Sequence, residues 1–434
     1  MNEMPARVRP LPWEELRTRL DDNHAFNTMR GTPYFGDASY EQFSPGEYAR
    51  RYRALRAKMR EARIDCIIAP GGPSHWSFGG AMLWLTGHWE WHGLACYVVV
   101  PLEGEPTLLY AMGGTHIEAV RKETAAAVKD VRSSRGGHFA EVMVERIKEL
   151  KLEKGRIGLM EVDPRHEDYM PVNQFEALKA GLTGAEFVFT KGWLHELLSV
   201  HSEEELFCIR KAGALCERAM RAMVARAKPG VSEAELRGAA GGAILEGGGD
   251  IDFCIIGATS GENPALVFGN PRPSNRVLAK GDVITMELAA GYRGYSAQIG
   301  WPICIGTPAP AVRKFYDEIA LPGFERIVAE IGPGKPVEDM RRAAQFFREK
   351  GAQSRPIHCH GIDLVSDGPH VFNDHIAVEP FEEVMKPGMV IMAEPTAITA
   401  DGMFGMFLGH TFIVTAGGYE CCDALPWDLL VAGD

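Results

Sequence analysis

The sequence lacks any run of about 18 apolar residues, the length that a membrane-spanning helix requires. Its start, MNEMPARVRPLPWEEL, carries charges and prolines where a secretory signal needs an apolar stretch. Positive charge is in the minority, because 46 Lys and Arg stand against 58 Asp and Glu, for a formal net charge of −12. These absences predict a cytoplasmic protein that binds neither a membrane nor nucleic acid.

Cysteine pairs at metal-binding spacing are also absent. Nine cysteines are scattered along the chain without a C-x-x-C pair, which argues against a zinc knuckle or a disulfide framework. We therefore expect most of these thiols to be reduced and buried. The composition is that of an ordinary globular protein, with 46% hydrophobic residues. The length of 434 residues is sufficient for two domains.

The first part of the chain predicts an irregular arm followed by an α/β domain. Residues 1–45 are rich in Pro, Asn and Gly and have weak periodicity. Within residues 46–197, an amphipathic helical pattern over 47–62 is followed by short β-rich runs that alternate with helical stretches. Such alternation is typical of an α/β unit.

A second domain is predicted for residues 198–434. It opens with HSEEELFCIRKAGALCERAMRAMVARA, in which Ser202 and Glu205 form a capping-box pattern ahead of a helical apolar periodicity. A second helix follows up to a glycine run, and strand patterns then continue to the end of the chain. They are interrupted by a helical stretch from about Val312 to Lys350.

Five sequence blocks in this second part resemble, in order and spacing, those of the pita-bread enzymes: methionine aminopeptidase, aminopeptidase P, prolidase and creatinase. The blocks are HSEEELFCIRKAG, SGENPAL, RPSNRVLAKGDVITMELAAGYRGYSAQIG, CHGIDL and KPGMVIMAEP. In the first domain, WLTGH resembles the amino-terminal domain of creatinase and prolidase. The resemblance implies an α+β fold, with a C-terminal pita-bread domain preceded by a smaller α/β creatinase-like domain.

The resemblance also implies the position of a metal site, and there this sequence departs from the peptidases. Those enzymes hold two divalent ions with two Asp, one His and two Glu. Carried over by position, the five ligands fall on Glu287, Gln298, His360, Glu394 and Gly409. Gln298 offers only a neutral carbonyl and Gly409 no side chain, so the two remaining carboxylates cannot neutralise two dications. A standard dinuclear centre is therefore not expected.

Glu287, His360 and Glu394 are the catalytic candidates. Both glutamates interrupt apolar strand patterns, and a buried carboxylate is unfavourable unless it is paired or protonated. If both face one cavity, their repulsion raises the pKa of at least one of them and creates a proton donor and acceptor pair. The alternatives are a structural hydrogen-bonding pair of glutamates and a core histidine.

Further residues of the second domain are candidates for substrate contact, each with a packing role as its alternative. They are Phe268, Asn270, Gln298, Asp363, His370, His375 and His410. Asp363 is expected to orient His360 or to close the metal pocket. His410, directly beside Gly409, either projects into the cavity or caps a strand.

The stretch LTGHWEWHG adds candidates from the first domain. In an extended segment its polar residues lie on one face and its tryptophans on the other, namely His88, Glu90 and His92 opposite Trp89 and Trp91. The resemblance implies a homodimer in which this domain covers the partner's active site, so that Trp84, His88, Trp89 and Trp91 would contact a cationic or aromatic substrate. The alternatives are tryptophans packed in a core, and a separate metal site on the polar face.

Three hypotheses of function follow. The first is a creatinase-like hydrolase that needs no cofactor and cleaves a C–N bond in a small polar amide, guanidino compound or amine. The second is a metal-dependent Xaa-Pro aminopeptidase or prolidase, or a related lyase, with one divalent ion (Mn, Zn or Fe) held by Glu287, His360 and Glu394, either with or without His410 as a further ligand. The third is a non-catalytic pita-bread binding module.

Overall fold

The structure is a computed structural model that describes residues 39, 41–71, 80–89, 96–113, 115–162, 168–365, 368–373 and 383–433. The chain divides into two compact units, Met1–Leu197 and Leu198–Asp434. In the described part of the chain, no helix has the length and apolar character needed to cross a membrane.

The amino-terminal unit is a six-stranded mixed sheet in the order β4-β3-β2-β1-β5-β6. Strands β1, β2 and β3 pair antiparallel, and the outer pairs are parallel. The strands are Cys66–Gly71 (β1), Cys96–Pro101 (β2), Thr107–Tyr110 (β3), Asp130–Ser133 (β4), Arg156–Leu159 (β5) and Glu186–Phe189 (β6). The helices are Pro45–Ala62, Gly80–Thr86, Thr115–Glu123, Phe139–Glu149, Val172–Gly181 and Trp193–Leu198.

The core of this unit follows directly from the sequence pattern. The runs CIIAPG and CYVVVP are buried along their whole length, as expected of central strands that are apolar on both faces. Helix Phe139–Glu149 adds Phe139, Met143 and Ile147, spaced four residues apart, to the same core.

The carboxy-terminal unit is built on a ten-stranded sheet, with the path β13-β12-β14-β17-β9-β8-β10-β19 and with β7 and β18 paired to β8 and β17. A separate three-stranded sheet has the order β11-β15-β16. The strands are Asp250–Ser260 (β7), Asp282–Tyr292 (β8), Tyr295–Gly300 (β9), Ile303–Ile305 (β10), Gln353–Ser354 (β11), Ile357–Gly361 (β12), Val371–Phe372 (β13), Val390–Ala393 (β14), Thr396–Ile398 (β15), Gly405–Phe407 (β16), Gly409–Thr415 (β17), Gly418–Cys421 (β18) and Leu430–Ala432 (β19). The helices are Glu203–Arg226, Glu233–Glu246, Pro310–Phe315, Leu321–Val328, Glu338–Ala343 and Phe346–Glu349, with a π-helical turn at Tyr316–Ala320.

The first helix of this unit begins as predicted. The Ser202 side chain accepts a hydrogen bond from the Glu205 amide, and the Glu205 carboxylate accepts one from the Ser202 amide. The predicted helical stretch from Val312 to Lys350 is wrong as a single element. It is divided into shorter helices because the segment IGPGKP, with Gly334 at φ 79°, cannot continue a helix.

The register of the large sheet sorts its side chains onto two faces. Residues opposite one another in antiparallel strands share a face, and neighbours along a strand alternate. The pairs Leu288↔Ile299, Ile299↔His410 and His410↔Ala393 therefore define one face. The other, which we call the site face, carries Glu287, Gln298, Gly300, His360, Met392, Gly409 and Thr411.

The nine cysteines are all unpaired, and eight of them are buried, as the sequence predicts. Burial raises the pKa of several of these thiols, for example to about 12 for Cys66 and to about 11 for Cys254. At neutral pH such thiols stay protonated and behave as small apolar side chains.

Candidate active site

His360 and Glu394 meet on the site face. The His360 Nε2 atom lies 3.5 Å from Glu394 Oε1, and both side chains are buried. His360 Nδ1 lies 2.8 Å from the Gly361 carbonyl oxygen, which can only accept a hydrogen bond, so the Nδ1 proton is donated there. The remaining nitrogen, Nε2, is therefore the one that faces the carboxylate.

Glu287 is the second buried carboxyl group of this site. Its position in β8, between Met286 and Leu288, places it within an otherwise apolar strand. Burial raises its pKa well above the ordinary value, the negative charge of Glu394 raises it further, and the positive charge of Arg355 opposes both effects. Burial and the charge of Glu394 thus favour the protonated form of Glu287, whereas a cation that compensates its charge favours the carboxylate.

Gln298, on β9, contributes an unpaired acceptor to the site face. Its backbone is fixed by Thr411, since the Gln298 amide donates to Thr411 Oγ1 and this hydroxyl donates to the Gln298 carbonyl. The side-chain oxygen Oε1 is buried and has no hydrogen-bond partner among the described residues. A buried amide oxygen of this kind is suited to a cation or to a donor on a bound ligand.

The space in front of Gly409 is already filled. A Cβ atom at this position would lie 2.6 Å from Met392 Cε, 2.9 Å from Phe407 Cε1 and 3.0 Å from Phe407 Cζ. A carboxylate side chain cannot enter there while Phe407 keeps its position. The fifth ligand position of the family is thus closed by packing as well as lost from the sequence.

Arg355 and Phe268 stand beside these residues. The Arg355 Cζ atom lies 3.7 Å from the centroid of the Phe268 ring, and the Phe268 and Phe407 rings are 5.3 Å apart. Phe268 was predicted from its block, whereas sequence reasoning missed Arg355, Phe407 and Met392. No sequence signal marked Arg355, which directly follows strand β11 and is placed by the pairing of that strand with β15.

The expectation that His410 serves this site is wrong in this structure. His410 lies on the opposite face of the sheet, where its Nδ1 atom is 2.7 Å from Asp423 Oδ2 and its ring packs against Trp301 and Phe324. Alternation along β17 is the reason, because Gly409 is the residue that points to the site face. His410, Asp423 and Cys421 bring ligand-type atoms within 4.8 Å of one another, away from Glu287 and Glu394.

Asp363 orients a different histidine from the expected one. Its Oδ2 atom lies 3.1 Å from Nε2 of His201, and its Oδ1 atom accepts the amide of Val365. His201 Nδ1 lies 2.8 Å from the Gly388 carbonyl. Asp363 thus links the loop that follows His360 to His201, near the start of the carboxy-terminal unit, rather than contacting His360 itself.

Two candidates from the amino-terminal unit, Trp84 and His88, have packing roles in this structure. Trp84 is buried in helix Gly80–Thr86, and its carbonyl accepts a hydrogen bond from buried Arg51, so the expectation that it contacts a partner's substrate is wrong in this structure. His88 is also buried, with Nδ1 2.7 Å from Glu123 Oε2. Trp89 is 39% exposed.

Four predicted substrate-contact residues remain: Asn270, His370, Trp91 and His375. Asn270 forms a backbone bridge with Ile256, and the His370 ring stacks on Phe372 at 5.8 Å. Trp91 and His375 lie outside the described residues.

Comparison with known proteins identifies the family. Residues 208–416 match the model of metallopeptidase family M24, and residues 51–197 match that of the creatinase/prolidase N-terminal domain. An Xaa-Pro dipeptidase of Pyrococcus furiosus is 25% identical over 256 residues, which cover 58% of this chain and 71% of the relative. An uncharacterized peptidase of Bacillus subtilis is 23% identical over 272 residues, 61% of this chain and 73% of the relative.

Solved structures agree on the fold. The X-Pro aminopeptidase of Thermotoga maritima superposes with a TM-score of 0.73 at 21% identity, covering 88% of this chain and 99% of that one. The prolidase of Pyrococcus horikoshii superposes with a TM-score of 0.71 at 21% identity, covering 88% and 100%. The predicted pita-bread fold with a creatinase-like first domain is confirmed. The chain therefore belongs to the M24 metallopeptidase family, in the branch that carries a creatinase/prolidase N-terminal domain.

Proposed function

We propose that the protein hydrolyses an amide C–N bond of a small substrate, with one divalent cation bound by Glu287, Gln298, His360 and Glu394. The observation that carries this proposal is the 3.5 Å approach of His360 Nε2 to Glu394 Oε1. An imidazole lone pair and a carboxylate repel each other unless a positive charge, either a proton or a metal ion, lies between them. The likeness to metallopeptidases favours the metal ion.

The donor set fits one divalent ion. Two carboxylates balance its charge, and an imidazole nitrogen and an amide oxygen are ordinary ligands of Mn²⁺, Zn²⁺ or Fe²⁺. The unpartnered Oε1 atom of Gln298 supports this assignment.

The donor set does not fit two ions. Gly409 supplies no ligand, and Phe407 and Met392 fill the space in front of it. Gln298 cannot supply the negative charge that a bridging position between two dications requires. The proposed site is therefore mononuclear.

The chemistry of this site is hydrolysis assisted by acid and base groups. A divalent cation, when bound, polarises the substrate carbonyl and lowers the pKa of water. The Glu394 carboxylate takes the proton of the attacking water and delivers it to the leaving nitrogen, while the water oxygen bonds to the carbonyl carbon and the C–N bond breaks. His360 keeps its Nδ1 proton on the Gly361 carbonyl, so that Nε2 stays available as a ligand.

A creatinase-like mechanism without metal is the second candidate. The same geometry accommodates a proton between His360 and Glu394. The raised pKa of Glu287 would then make this residue the proton donor. The comparisons with peptidases favour the first candidate over this one.

Metal analysis and activity measurements on one preparation separate the two mechanisms. Protein purified without added metal is analysed by mass spectrometry for transition metals and assayed against dipeptides, amides and guanidino compounds, before and after chelation. We expect about one ion per chain, with activity lost on chelation and restored by Mn²⁺, Zn²⁺ or Fe²⁺. Activity that persists in metal-free protein would establish the creatinase-like mechanism. Absence of both metal and activity would favour a binding module.

Two substitutions test the assigned roles. Glu394→Gln conserves volume and removes the base, so turnover should fall by about 10²- to 10⁴-fold. Glu287→Gln and Glu394→Gln should both reduce the metal content as well, because each removes half of the compensating charge. The matched control is Glu325→Gln, which changes an exposed glutamate of helix Leu321–Val328 and should alter neither quantity. Turnover within a few fold of the original protein after Glu394→Gln would exclude Glu394 as the base.

A further inference from the structure

Arg355 brings a guanidinium group to the site that the proposed reaction does not use. Its backbone amide donates to the Thr396 carbonyl, two residues after Glu394. Thr396 pairs in turn with Phe407, the residue that covers Gly409. Arg355 is thus placed by the small sheet next to the residues that close the fifth ligand position.

The guanidinium is held in a defined orientation. It lies 3.7 Å from the centroid of the Phe268 ring, and this ring contacts Phe407. Stacking on an aromatic ring fixes the plane of a guanidinium while leaving the N–H groups at its edge available to acceptors. Among the residues that the structure describes, these N–H groups have no hydrogen-bond or ion-pair partner.

The guanidinium of Arg355 leaves the carboxylate oxygens of the site to another cation. Among the described residues it forms no ion pair with Glu287 or Glu394. Its neighbours are instead Phe268 and, through that ring, Phe407, which covers Gly409 on the site face.

A site with one metal ion has less positive charge than a site with two, and the position of Arg355 matters for this reason. The ligands of a second ion are lost at Gln298 and Gly409, so a mononuclear site is two positive charges short of a dinuclear one. A cation that contacts the oxygen atoms of a substrate lowers the energy of a negative charge on them. Arg355 supplies one such charge from the side of the site where Phe407 excludes an ion.

We propose that Arg355 is the second cationic group of this site, and that its guanidinium binds anionic oxygen atoms of the substrate in place of a second metal ion. The inference rests on the proposed function for the single ion, but it concerns a different group. The ligand is a carboxylate or an oxyanion of similar shape, because the planar fork of N–H groups holds two oxygens side by side.

Fluorine NMR tests this binding without relying on turnover. Trifluoroacetate and trifluoroethanol serve as an anionic and a neutral probe, and they are titrated into the full-length protein both as purified and after chelation. Arg355→Met removes the charge at similar length, and Arg355→Lys keeps the charge without the planar fork. Arg326→Met is the matched control, because Arg326 is an exposed residue of the same unit that stacks on Phe346 at 4.7 Å.

We expect trifluoroacetate to bind the chelated protein at least about tenfold more weakly after Arg355→Met, with an intermediate loss for Arg355→Lys and none for Arg326→Met. Trifluoroethanol should not discriminate among these proteins. Equal binding of trifluoroacetate by the original protein and by Arg355→Met, with both chelated, would overturn the proposal. So would an anion signal that disappears on chelation, since the metal ion would then be its ligand.

Calorimetric titration with Mn²⁺ tests the metal site of the proposed function independently of anion binding by Arg355. Arg355→Met should still bind one ion, with unchanged or higher affinity, because a neighbouring positive charge is removed. Loss of the ion from this variant would show that Arg355 supports the metal site and would contradict its role as an independent anion ligand. Failure of the original protein to bind Mn²⁺ would instead count against the proposed function, and the probe experiment on metal-free protein would remain decisive for Arg355.

Discussion

The ring of Phe407 lies directly over Gly409. A Cβ atom on Gly409 would be 2.9 Å from Phe407 Cε1, and one on Gly300, the residue paired with Gly409 across the sheet, would be 2.2 Å from the same atom. Two glycines on neighbouring strands thus provide the space for one aromatic ring. In the site that we propose, this packing and the loss of a ligand at Gly409 both act against a second ion.

Gly300→Ala should destabilise the carboxy-terminal unit by about 1–3 kcal/mol, because the new methyl group meets Phe407 and the Met286 carbonyl oxygen at 2.5 Å or less. Denaturation in urea measures the loss. Gly417→Ala is the control, since no atom lies within 4 Å of its added Cβ. Equal midpoints for the two variants would show that the sheet adjusts around Phe407.

Restoring a second ion should require more than restoring its ligands. The double variant Gln298→Asp with Gly409→Glu should still bind one ion, because Phe407 blocks the new glutamate. Adding Phe407→Ala to this pair should raise the metal content towards two ions per chain, as measured by metal analysis. Two ions in the double variant would show that the ring moves aside easily.

The pair of His201 and Asp363 should make stability depend on pH. Burial lowers the pKa of His201, but the hydrogen bond and charge of Asp363, together with Glu205 and the Gly388 carbonyl, outweigh burial and raise it above 6.5. A raised pKa in the folded state means that the stabilisation is complete below pH 6.5 and is lost as pH rises through the folded value.

Urea denaturation between pH 5.5 and 9 tests this dependence. The original protein should lose stability towards alkaline pH, and His201→Gln should lack that part of the slope. Asp363→Asn should reduce the slope as well, because it removes the main group that raises the pKa. A slope that is unchanged in both variants would assign the pH dependence to other groups.

Trp84→Ala should lower the stability of the protein and should not act on substrate binding directly. The side chain is 1% exposed, so its removal should cost the amino-terminal unit about 3–5 kcal/mol. Trp89→Ala, at a position that is 39% exposed, should change stability by less than about 1 kcal/mol. Thermal melts followed by circular dichroism compare them. A folded Trp84→Ala protein with normal melting and a raised KM would restore a substrate role for Trp84.

The expected homodimer is tested by sedimentation. At micromolar concentration the full-length protein should sediment at about twice the single-chain mass of 47.7 kDa. A single-chain mass would remove the idea that one subunit covers the partner's site, and would leave exposed Trp89 without that role.

Several elements were predictable because their signals are local. The capping box at Ser202 and Glu205, and the apolar runs of β1 and β2, indicate their structures within a few residues. Because side chains alternate between the two faces of a strand, the sequence alone also indicates that His410 and Gly409 face opposite sides of the sheet. The prediction that His410 enters the cavity did not take this alternation into account. The catalytic roles of Glu287, His360 and Glu394 remain predictions, although the structure brings His360 and Glu394 together.

The surroundings of the site were not predictable in the same way. Arg355 reaches it because Ser354 pairs with Ala397, a distant residue in the sequence, in the small sheet that also contains Phe407. Burial of Trp84 likewise depends on its packing with Arg51. Such contacts depend on pairing between segments that lie far apart in the sequence, and short-range periodicity does not encode them.

The sheet register has a consequence for how the chain folds. Glu287 and Glu394 are more than a hundred residues apart in sequence, and strands β9 and β17 between them pair across a similar separation. Contacts between segments so far apart in sequence are expected to form after the helices and local hairpins. We therefore expect the desolvation of Glu287 to be completed only when the strands that carry His360 and Glu394 are in place, so that the folding chain does not have to bury an isolated carboxyl group.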